Sequence, residues 1–346
     1  MSGATRAVRP GAASRRAVLA LAISALAIST LVLPFAAGPS RAEPPSPPPS
    51  PLMAVVSQKA AEVALVDIDA RAVRAMISVA AVPAGLAASP DGAALYVTHP
   101  DISLVSRIDL AARRVTATFK VGLEPFGIAV TPDGRALLVS DWSGNALIRL
   151  DAATGAETGR VAIGKAPAGL VLDAAGALAY VADRESNQVS VVRVADMSRV
   201  ATVPVGRAPF ALALSPSGDR LYVANVQSGD LSILDTGAAP REIARVKIGL
   251  MPYGVAVTPD GSRVLVSNQQ SGRLAVLDAG TRNVAPEQPR LGSFPEGIAV
   301  ASPTRAAAVD WADDEVVVID TGTSALLGRI KVGTSPRNLI AVPGGR

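Results

Sequence analysis

A proline-centred phrase recurs seven times along this chain of 346 residues, at an almost constant spacing. The phrase is a variant of VG-x-x-P-x-G, and its prolines follow one another at intervals of 41 to 43 residues. They are Pro83, Pro125, Pro167, Pro209, Pro252, Pro295 and Pro336. Self-similarity at a fixed period of this length is the signature of a repeat architecture, in which each unit packs against its neighbours. The fold is therefore expected to contain seven similar units.

Each unit is predicted to be a meander of four short β-strands. In the unit that begins at Gly206, four runs rich in Val, Ile and Leu are separated by turns such as SPSG and VQSG. Alternating runs bounded by Gly, Pro, Asn and Asp are typical of strands, and no unit shows a helical period. In Thr131-Pro132-Asp133-Gly134 the proline presets φ at the second turn position and the glycine suits the fourth. This phrase therefore predicts the hairpin between strands one and two.

The two ends of the repeat region indicate a closed ring. Residues 53–79 match strands two to four of a unit but lack strand one, whereas residues 336–343 match strand one alone. The two fragments complete one unit if the chain closes on itself, and closure removes the exposed edges that an open β-solenoid would have to protect. We therefore predict an all-β fold over 53–346: a seven-bladed β-propeller of four-stranded blades, closed by the C-terminal strand pairing with the N-terminal blade.

Residues 1–42 are predicted to be a signal peptide. Arg15 and Arg16 precede an apolar run at 17–33, and the sequence Ser-Arg-Ala that ends at Ala42 fits a small-x-small cleavage site. The arginine pair resembles a twin-arginine export signal. An uncleaved anchor is the alternative, because the run is about as long as a membrane span. Residues 43–52 are predicted to be a proline-rich, extended linker. The folded domain is expected in the periplasm or outside the cell, free of the membrane after cleavage.

The excess of basic over acidic residues lies in the predicted signal peptide. The sequence pI is about 9.7, but residues 1–42 hold five arginines and no acid. Of 33 basic residues, 33 − 5 = 28 remain in 43–346, against 29 acidic residues. A domain without excess positive charge lacks the electrostatic footprint of nucleic-acid binding, so no nucleic-acid partner is expected. The absence of cysteine excludes disulfides and thiolate metal sites. We expect a monomer.

The strand-two sequences LYVAN (221–225), AYVAD (179–183) and LYVTH (95–99) resemble the YVTN-family β-propeller repeat. The resemblance covers essentially all of 53–343 and implies the propeller fold. It does not imply one function, since proteins with similar repeats include binding proteins, propeller lactonases and quinoprotein-associated proteins.

Two polar positions recur in the units. An aspartate ends strand three in six of them and is predicted to bond its own backbone two residues on. These aspartates are Asp67, Asp109, Asp151, Asp235, Asp278 and Asp320. The position that ends strand two holds Ser57, His99, Asp141, Asp183, Asn225, Asn268 and Asp310. Asp, Asn and His tolerate positive φ, so a tight turn is one explanation for this column. The alternative is an acidic rim in which Asp141, Asp183 and Asp310 bind Ca²⁺ or Mg²⁺.

Aromatic and charged residues cluster near these turns, on one predicted face of the ring. The residues after the marker prolines are Ala84, Phe126, Ala168, Phe210, Tyr253, Glu296 and Arg337. Trp142, Arg184 and Trp311 directly follow the three rim acids. The rings either pack at blade junctions or form an aromatic-rimmed funnel with a few charges, which is the usual composition of a ligand site. The predicted ligand-binding residues are Phe126, Trp142, Arg184, Phe210, Tyr253, Glu296, Trp311 and Arg337.

The sequence offers little for catalysis. The single histidine, His99, is expected to be a polar surface residue in a turn, and neither a P-loop nor a G-x-S-x-G elbow is present. The predicted function is therefore an exported, non-enzymatic propeller without a cofactor that binds a small molecule, a peptide or a partner protein at one mouth of its channel. The alternatives are a lactonase-like hydrolase that uses carboxylate-bound metal and an accessory protein of a periplasmic redox enzyme.

Overall fold

The computed structural model describes residues 51–344, which form seven antiparallel sheets arranged as the blades of a propeller. The strands are β1 (Leu52–Ser57), β2 (Glu62–Asp67), β3 (Ala72–Ser78), β4 (Leu86–Ala88), β5 (Ala94–His99), β6 (Leu104–Asp109), β7 (Arg114–Lys120), β8 (Pro125–Val130), β9 (Ala136–Asp141), β10 (Ala146–Asp151), β11 (Glu157–Ala162), β12 (Pro167–Leu172), β13 (Leu178–Asp183), β14 (Gln188–Arg193), β15 (Ser198–Pro204), β16 (Pro209–Leu214), β17 (Arg220–Asn225), β18 (Asp230–Asp235), β19 (Arg241–Lys247), β20 (Pro252–Val257), β21 (Arg263–Asn268), β22 (Arg273–Asp278), β23 (Pro295–Ser302), β24 (Arg305–Asp310), β25 (Glu315–Asp320), β26 (Leu326–Lys331) and β27 (Pro336–Ala341). Two short 3₁₀ helices, Pro100–Ile102 and Arg184–Ser186, follow β5 and β13.

The first strand of every blade lies innermost. Blade 1 has the order β27-β1-β2-β3, and blades 2 to 7 begin with β4, β8, β12, β16, β20 and β23. These first strands contact one another in cyclic order, so they surround a central channel. Blade 1 confirms the predicted closure, because β27 pairs antiparallel with β1 in a register that sets Val55 opposite Leu339. Strand β1 begins at Leu52, one residue before the predicted start of the propeller.

The hairpin between strands one and two has the predicted turn. In blade 3, Gly134 has φ of 72°, and its amide donates to the Thr131 carbonyl at 2.8 Å. The Thr131 hydroxyl donates to Asp133 at 2.6 Å, so the side chains also close the turn. The aspartates that end strand three bond nearby backbone amides as predicted, but at a spacing of two or three residues rather than two alone. Asp235, for example, accepts from the Gly237 amide at 2.9 Å, and Asp67 from the Ala70 amide at 2.8 Å.

The apolar core is divided among the blade interfaces. Residues 51–344 contain seven buried clusters, and each cluster joins two neighbouring blades. Between blades 4 and 5, for example, Val191 and Val203 pack with Leu212 and Val223. The clusters consist mostly of Val, Ile, Leu and Ala, in keeping with a chain in which only 3% of the residues are aromatic. Burial of such side chains contributes about 25 cal/mol per Å² of apolar surface removed from water, so each interface stabilises both of its blades.

Blade 6 departs from the predicted four regular strands. Its sheet contains β20, β21 and β22, and the outer segment 284–290 pairs with β22 only through isolated bridges at Val284 and Arg290. Pro286 and Pro289 lie in this segment, and proline has no N–H to donate to a strand ladder. The outer position is therefore filled by an irregular segment.

The predicted signal peptide, and the linker up to Ser50, lie outside the described residues. Within 51–344, no helix has the length and apolar character needed to cross a membrane.

Candidate functional site

The glycine of the P-x-G phrase lets neighbouring inner strands approach closely. A Cβ atom at Gly254 would lie 2.6 Å from the Glu296 carbonyl of the next blade, and one at Gly169 would lie 2.6 Å from the Phe210 carbonyl. Separations below 3.0 Å are too short for a real Cβ, so glycine is required at these positions. The repeated phrase thus fixes the backbone that carries the residues after the marker prolines. That end of the channel, where first strands begin and second strands end, is called the mouth below.

The polar residues that end strand two hold the loops of the mouth in place. All seven are fully buried. Asp141 accepts hydrogen bonds from the amides of Leu123 and Glu124, at 3.1 and 2.9 Å, and from Gly144 at 3.1 Å. Asp310 likewise accepts from the Ser293 amide at 2.7 Å. These side chains tie the start of strand one to the end of strand two in the same blade.

The predicted reason for this column, positive φ, is wrong. His99 and Asp183 have φ of −129° and −88°, and positive φ occurs four residues later in every blade. Those later residues are Ala61, Ser103, Asn145, Asn187, Gly229, Gly272 and Asp314. His99 is also buried rather than on the surface, since its ring bonds the Ala81 carbonyl at 3.0 Å and the Ser106 hydroxyl at 2.9 Å. Burial lowers the pKa of His99, so the ring is neutral at physiological pH.

The structure does not bring the three predicted metal ligands together. Asp141, Asp183 and Asp310 belong to blades 3, 4 and 7, and each is bonded within its own blade. Asp183, for example, accepts from the Ser190 hydroxyl at 2.6 Å and from the side-chain amide of Gln188 at 2.9 Å. Across residues 51–344, no group of three or more Asp, Glu or His side chains is arranged to hold a metal ion. The predicted acidic rim is therefore not formed, because these carboxylates satisfy backbone and side-chain donors.

Four of the predicted aromatic residues form one continuous group, called the aromatic arc here. Trp142 and Phe126 have ring centroids 5.2 Å apart, Phe126 and Phe210 5.6 Å, and Phe210 and Tyr253 4.3 Å. Phe126 and Phe210 belong to blades 3 and 5, and they meet across blade 4, where the corresponding residue is the small Ala168. Tilted and edge-on pairs at these distances are the favoured aromatic arrangements. All four rings are partly buried, and three of them, Phe126, Phe210 and Tyr253, line the channel.

Arg337 lies beside the arc and makes three polar contacts. Its guanidinium donates to the Tyr253 hydroxyl at 2.8 Å and to the Gln58 side-chain oxygen at 3.0 Å. Its Nε lies 3.5 Å from the carboxylate of Glu296, whose other oxygen accepts from Gln269 at 2.8 Å. These contacts join blades 1, 6 and 7 at the mouth.

Burial controls the protonation of this charged group. Glu296 is only 5% exposed, and desolvation raises its pKa to about 7 although Arg337 and Gln269 act to lower it. Desolvation, together with the Glu296 charge, raises the pKa of Tyr253 to about 12, so the phenol remains neutral. Arg337 and Arg184 both act to lower the pKa of Tyr253, which places two positive charges within electrostatic reach of its hydroxyl. Arg184 also lies over the Trp142 ring, at 5.8 Å from the centroid.

Trp311 forms a separate group. Its ring contacts Phe294 at 6.4 Å between centroids, and the Lys59 ammonium lies 5.0 Å above it. No contact with the aromatic arc is found within the described residues. Of the eight predicted ligand-binding residues, the structure therefore groups seven by direct contact and leaves Trp311 apart.

The channel below the arc is an apolar cavity of about 480 Å³. Phe126, Phe210, Tyr253 and Arg337 line it at the mouth, and aliphatic residues such as Ile298 line it further in. A volume in this range, with apolar walls and a few polar groups at one end, is typical of small-molecule sites. We call the arc, Arg184, Glu296, Arg337 and this cavity the mouth site.

Two polar residues of the mouth site were missed by sequence reasoning. Gln58 and Gln269 hold Arg337 and Glu296, and both directly follow the residue that ends strand two. Trp142, Arg184 and Trp311 occupy the same column in other blades. In the sequence, this position was considered only where it follows an aspartate. Considering it in all seven blades would have identified both glutamines.

Comparison with solved structures shows many similar propellers. Hydrazine synthase from Kuenenia stuttgartiensis superposes with a TM-score of 0.70 at 20% identity, covering 78% of this chain and 92% of that one. A protein from Lactobacillus plantarum gives 0.73 at 16% identity, covering 84% and 98%. Dihydro-heme d1 dehydrogenase NirN in complex with DHE gives 0.65 at 18% identity, covering 85% and 75%. Likeness at such low identity shows the fold alone. Comparison with curated proteins gave no sequence match. Residues 50–343, however, match the family of YNCE-like β-propellers, and the chain belongs to that family.

Proposed function

We propose that this protein is an exported, monomeric, non-enzymatic propeller that binds a small molecule at the mouth site. The observation that carries the proposal is the aromatic arc, which continues into an apolar cavity of about 480 Å³. An arc that only sealed blade junctions would involve neighbouring blades, whereas Phe126 and Phe210 meet across an intervening blade. The repeat is also assigned to the YVTN type by its strand-two sequences, such as LYVAN at 221–225.

The two alternative functions have less support. The hydrolase alternative depended on a shared site of Asp141, Asp183 and Asp310, and these carboxylates bond within separate blades. The alternative of a role beside a redox enzyme is favoured only by the names of structural neighbours, hydrazine synthase and a dihydro-heme d1 dehydrogenase. Neither neighbour exceeds 20% identity, so binding at the mouth remains the preferred function.

The proposal is tested with two aromatic probes, anilinonaphthalenesulfonate and the neutral naphthylmethanol. Trp142 belongs to the arc and Trp311 does not, and these are the only two tryptophans of the chain. Each is replaced by phenylalanine in turn, which leaves a single indole to report binding. We expect saturable binding that perturbs Trp142 fluorescence and leaves Trp311 fluorescence unchanged. Trp142→Ala should weaken binding by about tenfold or more, as truncation of aromatic anchors commonly does.

Trp311→Ala is the matched control, because both tryptophans follow the last residue of strand two. It should bind the probes like the unmodified protein. Failure of both probes to bind saturably, or an equal response of the two indoles, would count against a ligand site at the mouth.

A further inference from the structure

One buried carboxylate oxygen at the mouth site has no hydrogen-bond donor. Oε1 of Glu296 accepts from Gln269, whereas Oε2 accepts from no group among the described residues. Its nearest cation is Nε of Arg337, at 3.5 Å, which is too long for a good hydrogen bond. An acceptor buried without a donor costs free energy that a paired one does not. The Glu296–Arg337 pair therefore leaves one buried acceptor without a donor among the described residues.

The charges around this pair favour an anion. Arg337 reaches Glu296 from blade 1, the neutral phenol of Tyr253 faces it from blade 6, and Arg184 acts on the same phenol from blade 4. Arg184 pairs with Glu185, whose side chain is 51% exposed and therefore well screened by solvent. Arg337 thus faces the buried carboxylate, and Arg184 adds a second guanidinium over the Trp142 ring at 5.8 Å from its centroid. Because Glu296 can take up a proton near neutral pH, the site can become more positive still.

The aromatic arc could instead attract a cation through its ring faces. The Trp142 face is already covered by Arg184, however, and a cationic ligand in the cavity would lie beside Arg337. Like charges in a partly buried site repel strongly, so this alternative is disfavoured. A neutral ligand would stack on the rings but would form no charge-assisted hydrogen bond with Arg337.

We propose that the mouth site binds a flat aromatic molecule with one carboxylate-type anion, which pairs with Arg337 while Glu296 is displaced as the neutral acid. This inference rests on the proposed function and adds the ligand class to it. The rings of the ligand lie against the aromatic arc. Its anion takes the place that Glu296 holds beside Arg337, and planar guanidinium groups match carboxylates in two-point geometry. At about pH 7 Glu296 is roughly half protonated before binding, so about half a proton passes from solvent to Glu296 for each anion bound.

The test compares three probes with one ring system: naphthoate, naphthamide and naphthylmethylamine, each titrated calorimetrically into the full-length mature protein at about pH 7. Naphthoate should bind about tenfold more tightly than naphthamide, and the amine more weakly than either, because only the anion makes a charge-assisted bond to Arg337. Titrations in buffers of different ionisation enthalpy should show proton uptake with naphthoate alone. If naphthamide or the amine binds as tightly as naphthoate, the ligand class is wrong although binding at the mouth stands. If none of the three binds, and the two earlier probes also fail, the proposed function itself is wrong.

Variants of Glu296 and Arg337 test whether these two residues cause the naphthoate preference and the proton uptake. Glu296→Gln should increase naphthoate affinity by about twofold at about pH 7, by more at about pH 8, and should abolish proton uptake, because the competing carboxylate is gone. Glu124→Gln is the control, since Glu124 lies on the mouth face but bonds Ser143 instead of Arg337, and it should leave affinity unchanged. Arg337→Gln should remove the preference for naphthoate over naphthamide. Proton uptake that persists in Glu296→Gln would overturn the assignment of the proton to Glu296.

Discussion

At Glu296 a carboxyl group is kept out of water beside a guanidinium, and these two features act on its pKa in opposite directions. Desolvation raises the pKa, whereas Arg337 and the Gln269 hydrogen bond lower it. The outcome is a pKa of about 7 against an ordinary value of 4.5, so burial dominates. The fold therefore retains a carboxyl group that is roughly half protonated at neutral pH, beside a cation and an apolar cavity. Such perturbed groups are more often found at functional sites than elsewhere.

This raised pKa predicts a pH-dependent stability that requires no ligand. The folded protein binds the Glu296 proton more tightly than the unfolded chain, so the contribution is full below about 4.5 and is lost as pH rises through about 7. Glu296→Gln keeps a neutral side chain at every pH. Its free energy of unfolding should exceed that of the unmodified protein by roughly 3 kcal/mol at about pH 8 and by under about 1 kcal/mol at about pH 5. Urea denaturation across this range measures the difference. A difference that does not change with pH would show that Glu296 ionises normally.

The loop that leads into strand one is the structural element on which the mouth site depends. In blade 3 this loop is held by Asp141, which accepts backbone hydrogen bonds from Leu123, Glu124 and Gly144. Phe126 follows the loop directly, so the position of the aromatic arc depends on a buried carboxylate in the same blade. Asp141 was predicted to bind a metal ion, whereas it accepts hydrogen bonds from backbone amides. Carboxylate oxygens can do either, so the residue type alone does not distinguish the two roles.

Asp141→Ala should therefore destabilise the protein by about 2–4 kcal/mol, because it removes a fully buried carboxylate that accepts from three backbone amides. Asp278→Ala is the control. Asp278 accepts from the Thr281 amide at 2.7 Å in an exposed turn, where water can replace it, and should cost under about 1 kcal/mol. Thermal unfolding of both variants measures how much stability each one loses. Equal losses of stability in the two variants would mean that burial of the Asp141 carboxylate does not matter.

The sequence predicted those elements that depend on local chemistry. The Thr-Pro-Asp-Gly turn and the aspartates after strand three bond within a few residues of themselves, so their geometry can be read from the residues alone. The irregular outer segment of blade 6 was missed, although Pro286 and Pro289 signal it. The acidic rim was wrong because sequence does not show which amides of a distant loop reach a carboxylate. The contact between Arg337 and Tyr253 could not be predicted either. It joins blades 1 and 6 across blade 7, so it depends on the width of the channel.

At the scale of the whole molecule, stability is distributed around a ring. Each of the seven apolar clusters joins two neighbouring blades, so no blade has a complete core of its own. The cluster between blades 7 and 1 contains Leu339 from β27, and Met53 and Val55 from β1. The last strand thus supplies both the hydrogen bonds of blade 1 and part of the packing that joins the two ends of the chain.

Truncation after Gly333 should therefore destabilise the entire ring rather than fray one edge. It removes β27, exposes the inner edge of β1 and leaves Met53 and Val55 without their partner. A loss of about 5 kcal/mol is expected for a strand with its ladder and a buried leucine, which corresponds to a fall in melting temperature of roughly 10 °C or more. A peptide of residues 334–346 added in excess should restore stability, and the same peptide with Leu339→Asp should not. Deletion of the last three residues alone, beyond the Val342 amide that bonds Leu52, should have no effect. If the truncated protein melts like the intact one, the C-terminal strand does not close the ring in solution.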